Sequence, residues 1–429
     1  MSETTNQKME QYRAAGGPDT STPVLILRLD HHGALGMTRS LGRWGIPVYG
    51  VHSQPDAPAF HSRYCRRGFV RDLDSTPSNE SLDYLMDIAD HIGGKPILLP
   101  SNDETSLFVA QNADVLCQRF LFPVNSARLV RSLVDKRLMS ILAKECGIPS
   151  AECEVPNCRE DVLRFCESAR FPVMLKATDA ISVARRTGKR MAIARTAAEL
   201  LRLYDDMADP HHRDLMLQEY IPGGDDSVWM FNGYFDENSN CVVGFTGRKI
   251  HQNPVYTGMT ALGICLKNET VDEMTRRFMK AIGYRGILDI GYRYDARDGL
   301  YKVLDVNPRV GATFRLFVGK NGLDVVRVMY LHLTGQPLPD TNLCEGRKWI
   351  VEDLDLISAV HYFRDDVLTL RQWLASLRGI QEAAWFASDD LKPFLFMITH
   401  LLSTPLRKAS KHLADHSGQK VIGRMALGK

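Results

Sequence analysis

The chain has 429 residues, 44% hydrophobic and 24% charged, which is long enough for two or three packed domains and too apolar for a disordered segment. With 53 basic against 51 acidic residues the net charge is only +2, so there is no general field to draw nucleic acid. Nine cysteines without a C-x-x-C pair read as reduced thiols filling the core; Met1 to Thr22 lacks a signal-peptide pattern and no apolar run is long enough to span a bilayer, so a cytoplasmic protein without a transmembrane segment is expected.

From Val24 onward the pattern is that of a parallel α/β sheet. Val24-Leu25-Ile26-Leu27 reads as a strand, a turn carrying Gly33 and Gly36 leads into a helix ending near Gly45, and Ile46 to Val51 is a second strand. Tyr84 to His91 reads as a helix running into Pro96-Ile97-Leu98-Leu99-Pro100, with Ser101-Asn102-Asp103-Glu104 placed to cap the next helix. One helix is expected between Arg128 and Gly147, ended by Gly147-Ile148-Pro149. Phe171 to Lys176 is a strand closing on a lysine, the polar and basic stretch Asp179 to Arg190 reads as a mobile lid, and Met191 to Ala194 is a short strand. Leu215 to Ile221 is a further strand, followed by the turn Pro222-Gly223-Gly224-Asp225-Asp226, strands between Ser227 and Lys249, and a helix from Val271 to Gly283. Beyond Pro337 the periodicity weakens.

Ile287 to Tyr294 and Leu300 to Val306 flank a turn built on Asp295, Asp298 and Gly299, a hairpin signature. Period two puts Asp305 and Asn307 on one face and brings Asp289 up on the neighbouring strand, so three hard oxygen donors converge. Such a set suits Mg²⁺, which keeps open positions for phosphate oxygens. Carboxylates among apolar strand residues are costly without a countercharge, which a cation would provide. Asp298 is expected to be an ordinary turn carboxylate in water.

This strand aspartate, hairpin and Asp305-Val306-Asn307-Pro308-Arg309 resemble the metal-binding end of the ATP-grasp superfamily, and the chain is similar to its carboxylate–amine ligase branch, the D-aspartate ligases. The resemblance covers roughly residues 24–335. It implies an α/β ATP-grasp fold with an N-terminal parallel α/β pre-ATP domain at 23–125, an ATP-grasp domain at 126–337 made of a small lid sub-domain at about 150–220 and a larger metal-bearing one, and a C-terminal extension at 338–429 without assigned role. It also implies ATP and Mg²⁺, with Mn²⁺ as a substitute. Asp289, Asp305 and Asn307 match the metal ligands, Lys136 and Lys176 the lysines on the ATP phosphates, Glu219 and Ile221 the neighbours of adenine, and Asp226 or Asp225 the ribose acceptor. Arg309 matches an arginine that steadies the transferring phosphate or acyl phosphate, and Lys249 borders the reacting centre. The family often has Glu at the first two metal positions, where this chain has Asp. His31-His32-Gly33-Ala34-Leu35-Gly36 is not G-x-G-x-x-G and resembles instead the family's opening glycine loop, which with Ser101 to Glu104 would line the substrate mouth.

The reaction so implied joins a small-molecule carboxylate to an amine through an acyl phosphate, releasing ADP and phosphate. One rival keeps the fold and activates bicarbonate, as biotin carboxylase and carbamoyl phosphate synthase do; another is a nucleotide-binding regulatory protein without turnover. Homo-oligomer formation is neither required nor opposed. Phe394 to Ile398, followed by Arg407, Lys408 and Lys411, reads as an amphipathic helix packed on its own domain.

Overall fold

The computed structural model describes residues 17–401 apart from 74, 75, 77, 178–182, 184, 185, 188–190, 210, 211 and 213. Most of the expected lid from Asp179 to Arg190, and the basic residues Arg407, Lys408 and Lys411, therefore lie outside the described residues.

Three sheets organise the chain. The first holds β1 (Val24–Leu27), β2 (Val48–His52), β3 (Cys65–Val70) and β4 (Ile97–Pro100) in the order β3-β2-β1-β4, every pair parallel. All residues of β1 and β2 are buried, as strands covered on both faces by helices must be. After β1 comes the helix His32–Gly42, and after β4 the helix Asp103–Gln111, whose start is fixed by a capping box between Asn102 and Thr105. Instead of one helix between Arg128 and Gly147 there are two, Ala127–Val134 and Lys136–Glu145. Asp135 leaves the helical region with φ −80° and ψ 115°, ends the first helix, and accepts from the Leu138 N–H at 2.9 Å to cap the second. Lys136 thereby becomes the first residue of a helix.

The second sheet is small and antiparallel: β5 (Cys153–Glu154), β6 (Val173–Ala177), β7 (Met191–Ala194) and β8 (Leu215–Glu219), in the order β5-β8-β6-β7. It has its own core, with Val173, Leu175, Leu200, Leu203 and Leu217. The third sheet joins β9 (Val228–Phe235), β10 (Cys241–Asn253), β11 (Met259–Cys265), β12 (Gly286–Asp295), β13 (Leu300–Asn307), β14 (Lys348–Ile350) and β15 (Ile380–Ala383), ordered β13-β12-β9-β10-β11-β14-β15. Two of its strands come from beyond residue 337, and the helix Glu352–Arg364 packs on β10 and β11.

The cysteines are all free, but only Cys265 is buried; Cys117 and Cys158 are exposed, so the expectation that they fill the core fails for most of them. A thiol is small enough to sit at a helix end without cost, which composition alone does not reveal.

Segments far apart in sequence are tied by buried charge. Arg39 gives its Nε to Asp390 Oδ2 at 2.9 Å and its other donors to the carbonyls of Ala384, Trp385 and Asp390, while Asp390 also accepts from Ser62 Oγ at 2.7 Å and the Arg63 N–H at 2.9 Å. The two side chains are only 4% and 1% exposed. Asp390→Ala would strand the guanidinium without a countercharge and is expected to cost about 3 to 5 kcal/mol in urea unfolding. A loss below about 1 kcal/mol would show that the pair does not hold the C-terminal segment to the first domain.

Candidate active site

The site is built on the β12–β13 hairpin. Its turn is closed by Gly299 at φ +74°, whose N–H reaches the Asp295 carbonyl at 2.8 Å. Asp295 is buried beneath it, held well below the usual carboxylate range first by Arg297, at 2.7 Å, and also by Lys302, at 2.7 Å. Asp298 does not stand in water as expected. It pairs with Lys302 at 3.0 Å and with Arg170 at 3.0 Å, because the turn folds both aspartates back over one ammonium.

In register, Asp289 faces Asn307 and Gly291 faces Asp305. Asn307 Nδ2 donates to Asp289 Oδ2 and to Asp305 Oδ2, each at 3.2 Å, so the three side chains do converge. Two glycines make the room. A Cβ at Gly291 would stand 2.4 Å from Asp305 Oδ1, and one at Gly311 would stand 2.3 Å from Asp289 Cγ. Asp289 is pushed up to about 6 by burial and then by the negative charge of Asp305, against smaller opposing effects of Arg309, Lys249 and Asn232. Two carboxylates forced together fit a hard divalent cation, and Asn307, whose oxygen here accepts from Arg309 while its Nδ2 faces the carboxylates, supplies a third oxygen donor once its amide is turned over. Among the described residues no three His, Cys, Asp or Glu side chains gather into a metal-holding group, so the amide of Asn307 is needed to complete this one.

Cations face this acidic pair. Lys176 lies on β6 between Met191 and Met216, and Lys136 opens its helix in the place where the macrodipole disfavours a positive charge and favours an anion. The two ammonium groups are close enough that Lys176 is lowered to about 8, first by burial and then by Lys136, with Asp305 acting the other way. Lys249, half-buried on β10, donates to the Gly258 carbonyl at 2.8 Å and is lowered by burial against the pull of Asp305, Asp289 and Asp225. Arg293 stands four residues beyond Asp289 on β12 and stacks over Tyr220 at 5.6 Å. Sequence reasoning passed over Arg293 and Asn232, although a charged residue at even spacing from Asp289 was the available signal for the first. Asn232 is fully buried directly across from Asp289, a pairing that only the sheet order reveals.

Glu219 and Ile221 are both buried where β8 leads into the turn. The Glu219 carboxylate is engaged with Arg297 at 2.6 Å and Lys302 at 3.2 Å, and its N–H goes to the Glu152 carbonyl at 2.7 Å. Of the two candidates for the sugar, Asp225 accepts from Gln252 Nε2 at 2.7 Å and from the Tyr362 hydroxyl, whereas Asp226 is exposed. Arg309 reaches toward the first sheet, its Nε on Asp103 Oδ1 at 2.7 Å and its Nη2 on Asn307 Oδ1 at 3.1 Å. Beside it His31 caps the helix His32–Gly42 through Nδ1, and Gly33 packs so close to Ala312 that a Cβ would meet its Cα at 2.7 Å. The opening glycine loop and the acidic strand thus meet at Arg309.

Residues 135–341 match the family model for the carbamoyl-phosphate synthase L chain, ATP binding domain. This stretch belongs to the ATP-grasp family, and the chain has its fold. D-aspartate ligase of Enterococcus faecium is 26% identical over 249 residues, which take in 54% of this chain and 57% of the ligase. The chain thus spans less than two thirds of that relative. The N5-carboxyaminoimidazole synthetase of Staphylococcus aureus, solved with ADP, superposes with a TM-score of 0.59 at 14% identity, covering 81% of this chain and 87% of that one. An L-amino acid ligase of Bacillus licheniformis gives 0.54 at 12%, covering 74% and 75%. Among the described residues no helix is long and apolar enough to cross a membrane.

The lowered Lys176 carries a direct test. At pH 8 about half of its amine is neutral and nucleophilic, whereas an ordinary lysine is almost wholly protonated. Lys176 should therefore be acylated faster than exposed Lys320, and ATP should protect it, because bound phosphate favours the ammonium form. Equal labelling of the two by peptide mass analysis would refute the depressed amine. A second expectation concerns space: Gly311→Ala displaces the Asp289 carboxylate and should weaken Mg²⁺ binding roughly 10- to 100-fold in calorimetry while the unfolding midpoint stays near that of the parent.

Proposed function

We propose that the chain is an ATP-dependent carboxylate–amine ligase that forms an amide through an acyl phosphate. One observation carries this reading: Lys176, with Lys136 beside it, and Lys249 are drawn to the Asp289/Asp305 pair, Lys176 to Asp305 and Lys249 to both carboxylates. Cations crowded against each other and against two acids have an evident partner in a nucleotide triphosphate accompanied by a divalent metal. The sequence match to D-aspartate ligase supports the choice of carboxylate and amine as substrates.

Asp289, Asp305 and Asn307 would hold Mg²⁺ or Mn²⁺, which supplies Lewis-acid neutralisation of phosphate charge. Lys176 binds the phosphates from the small sub-domain and Lys136 from the helix that precedes it. Adenine would rest at the β8 exit near Glu219 and Ile221, with the exposed carboxylate of Asp226 free to accept from ribose hydroxyls. The carboxylate substrate, oriented by Arg309, attacks the γ-phosphorus; the bond to the β–γ bridging oxygen breaks and ADP leaves. Lys249 lies where charge grows on the transferred group. The amine then adds to the acyl carbon, phosphate departs with the electron pair of the broken C–O bond, and the amine's surplus proton passes to that phosphate.

Turnover of ¹⁸O-labelled carboxylate should leave one labelled oxygen in the released phosphate, whereas adenylation would send the label to AMP with pyrophosphate. Label in AMP sinks the acyl phosphate. Asp305→Asn should lower ADP formation on the order of 100-fold or more with the fold intact; near-normal turnover in the folded variant would remove Asp305 from the site. The match to the carbamoyl-phosphate synthase model favours bicarbonate as a second reading. ADP formed with bicarbonate alone, without an organic carboxylate, would establish it.

A further inference from the structure

Between Lys249 and Gln252 the strand β10 breaks register with β11 twice, Lys249 facing Gly263, His251 facing Leu262 and Gln252 facing Thr260. A regular strand turns residues three apart to opposite faces; the break lets the Lys249 ammonium and the Gln252 amide meet, Nζ donating to Oε1 at 3.4 Å. Backbone groups displaced from the ladder need other partners. The helix Glu352–Arg364 supplies them: the Gln252 N–H donates to the Tyr362 hydroxyl at 3.2 Å and the Gln252 carbonyl accepts from Ser358 Oγ at 2.7 Å, while His251 pairs with Asp355 at 2.7 Å. Gln252 and Tyr362 are both buried.

Donors and acceptors alternate through this cluster in one direction. Tyr362 gives its hydroxyl proton to Asp225 Oδ2, and Gln252 Nε2 donates to Asp225 Oδ1 at 2.7 Å. A carboxylate only accepts, so the amide nitrogen must face Asp225 and the amide oxygen is left for Lys249. A second Lys249 donor goes to the Gly258 carbonyl at 2.8 Å. Among the described residues Lys249 pairs with no carboxylate; both of its acceptors are neutral, and the third ammonium proton remains for a ligand.

We propose that Tyr362, together with Asp225, is a positioning residue for Lys249: the two fix the Gln252 amide, whose oxygen holds the ammonium where the terminal phosphate of ATP arrives. The proposal rests on the reading of the cleft as a nucleotide site, and it brings into that site a residue beyond the stretch 135–341 matched by the family model. Tyr362 touches no reactant. Removing its hydroxyl deprives Asp225 of a donor and the Gln252 N–H of an acceptor. The amide is then free to turn, and Lys249 is loosened while the residues assigned to adenine and metal are left in place.

The test is calorimetry on the full chain with Mg²⁺ and two nucleotides, ADP and the non-hydrolysable β,γ-imido analogue of ATP, which differ in the terminal phosphate. Lys249→Met should weaken the triphosphate about tenfold or more and leave ADP within about twofold. Tyr362→Phe should weaken the triphosphate roughly three- to tenfold and again spare ADP, whose unchanged binding also reports the fold. Gln252→Met breaks the same link without touching Tyr362 and should have the same effect; it carries the test if Tyr362→Phe does not fold. With Tyr362→Phe and Lys249→Met combined, the triphosphate should bind no more weakly than with Lys249→Met alone, because both act through one ammonium. Losses that add, losses shared equally by ADP, or triphosphate binding unchanged in Tyr362→Phe and Gln252→Met would overturn the proposal, as would normal triphosphate binding in Lys249→Met. Failure of the parent chain to bind either nucleotide would remove the nucleotide site and this proposal with it. None of these measurements needs turnover, so ADP formation, scored across carboxylate and amine pairs, tests the ligase reading separately.

Discussion

Because Asp289 pairs with Asn307 and Gly291 with Asp305, β12 and β13 deliver two carboxylates and an amide to one spot, and every other feature of the site is arranged around that concentration of negative charge. A slip of one residue would turn Asp305 and Asn307 to the opposite face. The register is held from the turn end, where Asp295 and Asp298 share Lys302. Within the sheet, glycines leave space that the carboxylates themselves fill.

The same turn reaches the small sheet. Arg297 and Lys302 both bond Glu219, the last residue of β8, and Arg170 bonds Asp298, so four charged residues of the hairpin turn and two of the small sub-domain form one connected set. Buried ion pairs add little net stability when complete and cost several kcal/mol when one member is lost. Their effect here is to set the position of β8 relative to the acidic pair, and hence the width of the cleft in which Lys176 faces Asp305.

Residues beyond 337 also shape the cleft. β14 and β15 extend the large sheet, and the helix Glu352–Arg364 sends Asp355 to His251 at 2.7 Å and the Tyr362 hydroxyl to Asp225. Asp225 is thereby committed to holding Gln252 and Tyr362, which separates it from its exposed neighbour Asp226. The large sheet and the turn after β8 are locked together by a part of the chain in which no motif is visible.

Local periodicity and turn chemistry were enough to read three of the four strands of the first sheet and its parallel α/β character, the hairpin from Gly286 to Asn307, the convergence of Asp289, Asp305 and Asn307, and a strand closing on Lys176, because each depends on residues within about twenty positions of one another; the strand Cys65–Val70 and the strand order were not legible. What lay beyond reach depends on partners far away in sequence. Asp103 and Arg309 are 206 residues apart, Arg39 and Asp390 351, and Asp225 and Tyr362 137, and no pattern along the chain announces such pairs. Asp298 looked like a solvated turn carboxylate until Arg170 and Lys302 were brought to it. The types of side chain and their strand faces were written in the sequence through backbone geometry, whereas the choice of which charges neutralise one another was left to packing, since electrostatic pairing depends on distance through space and not along the chain.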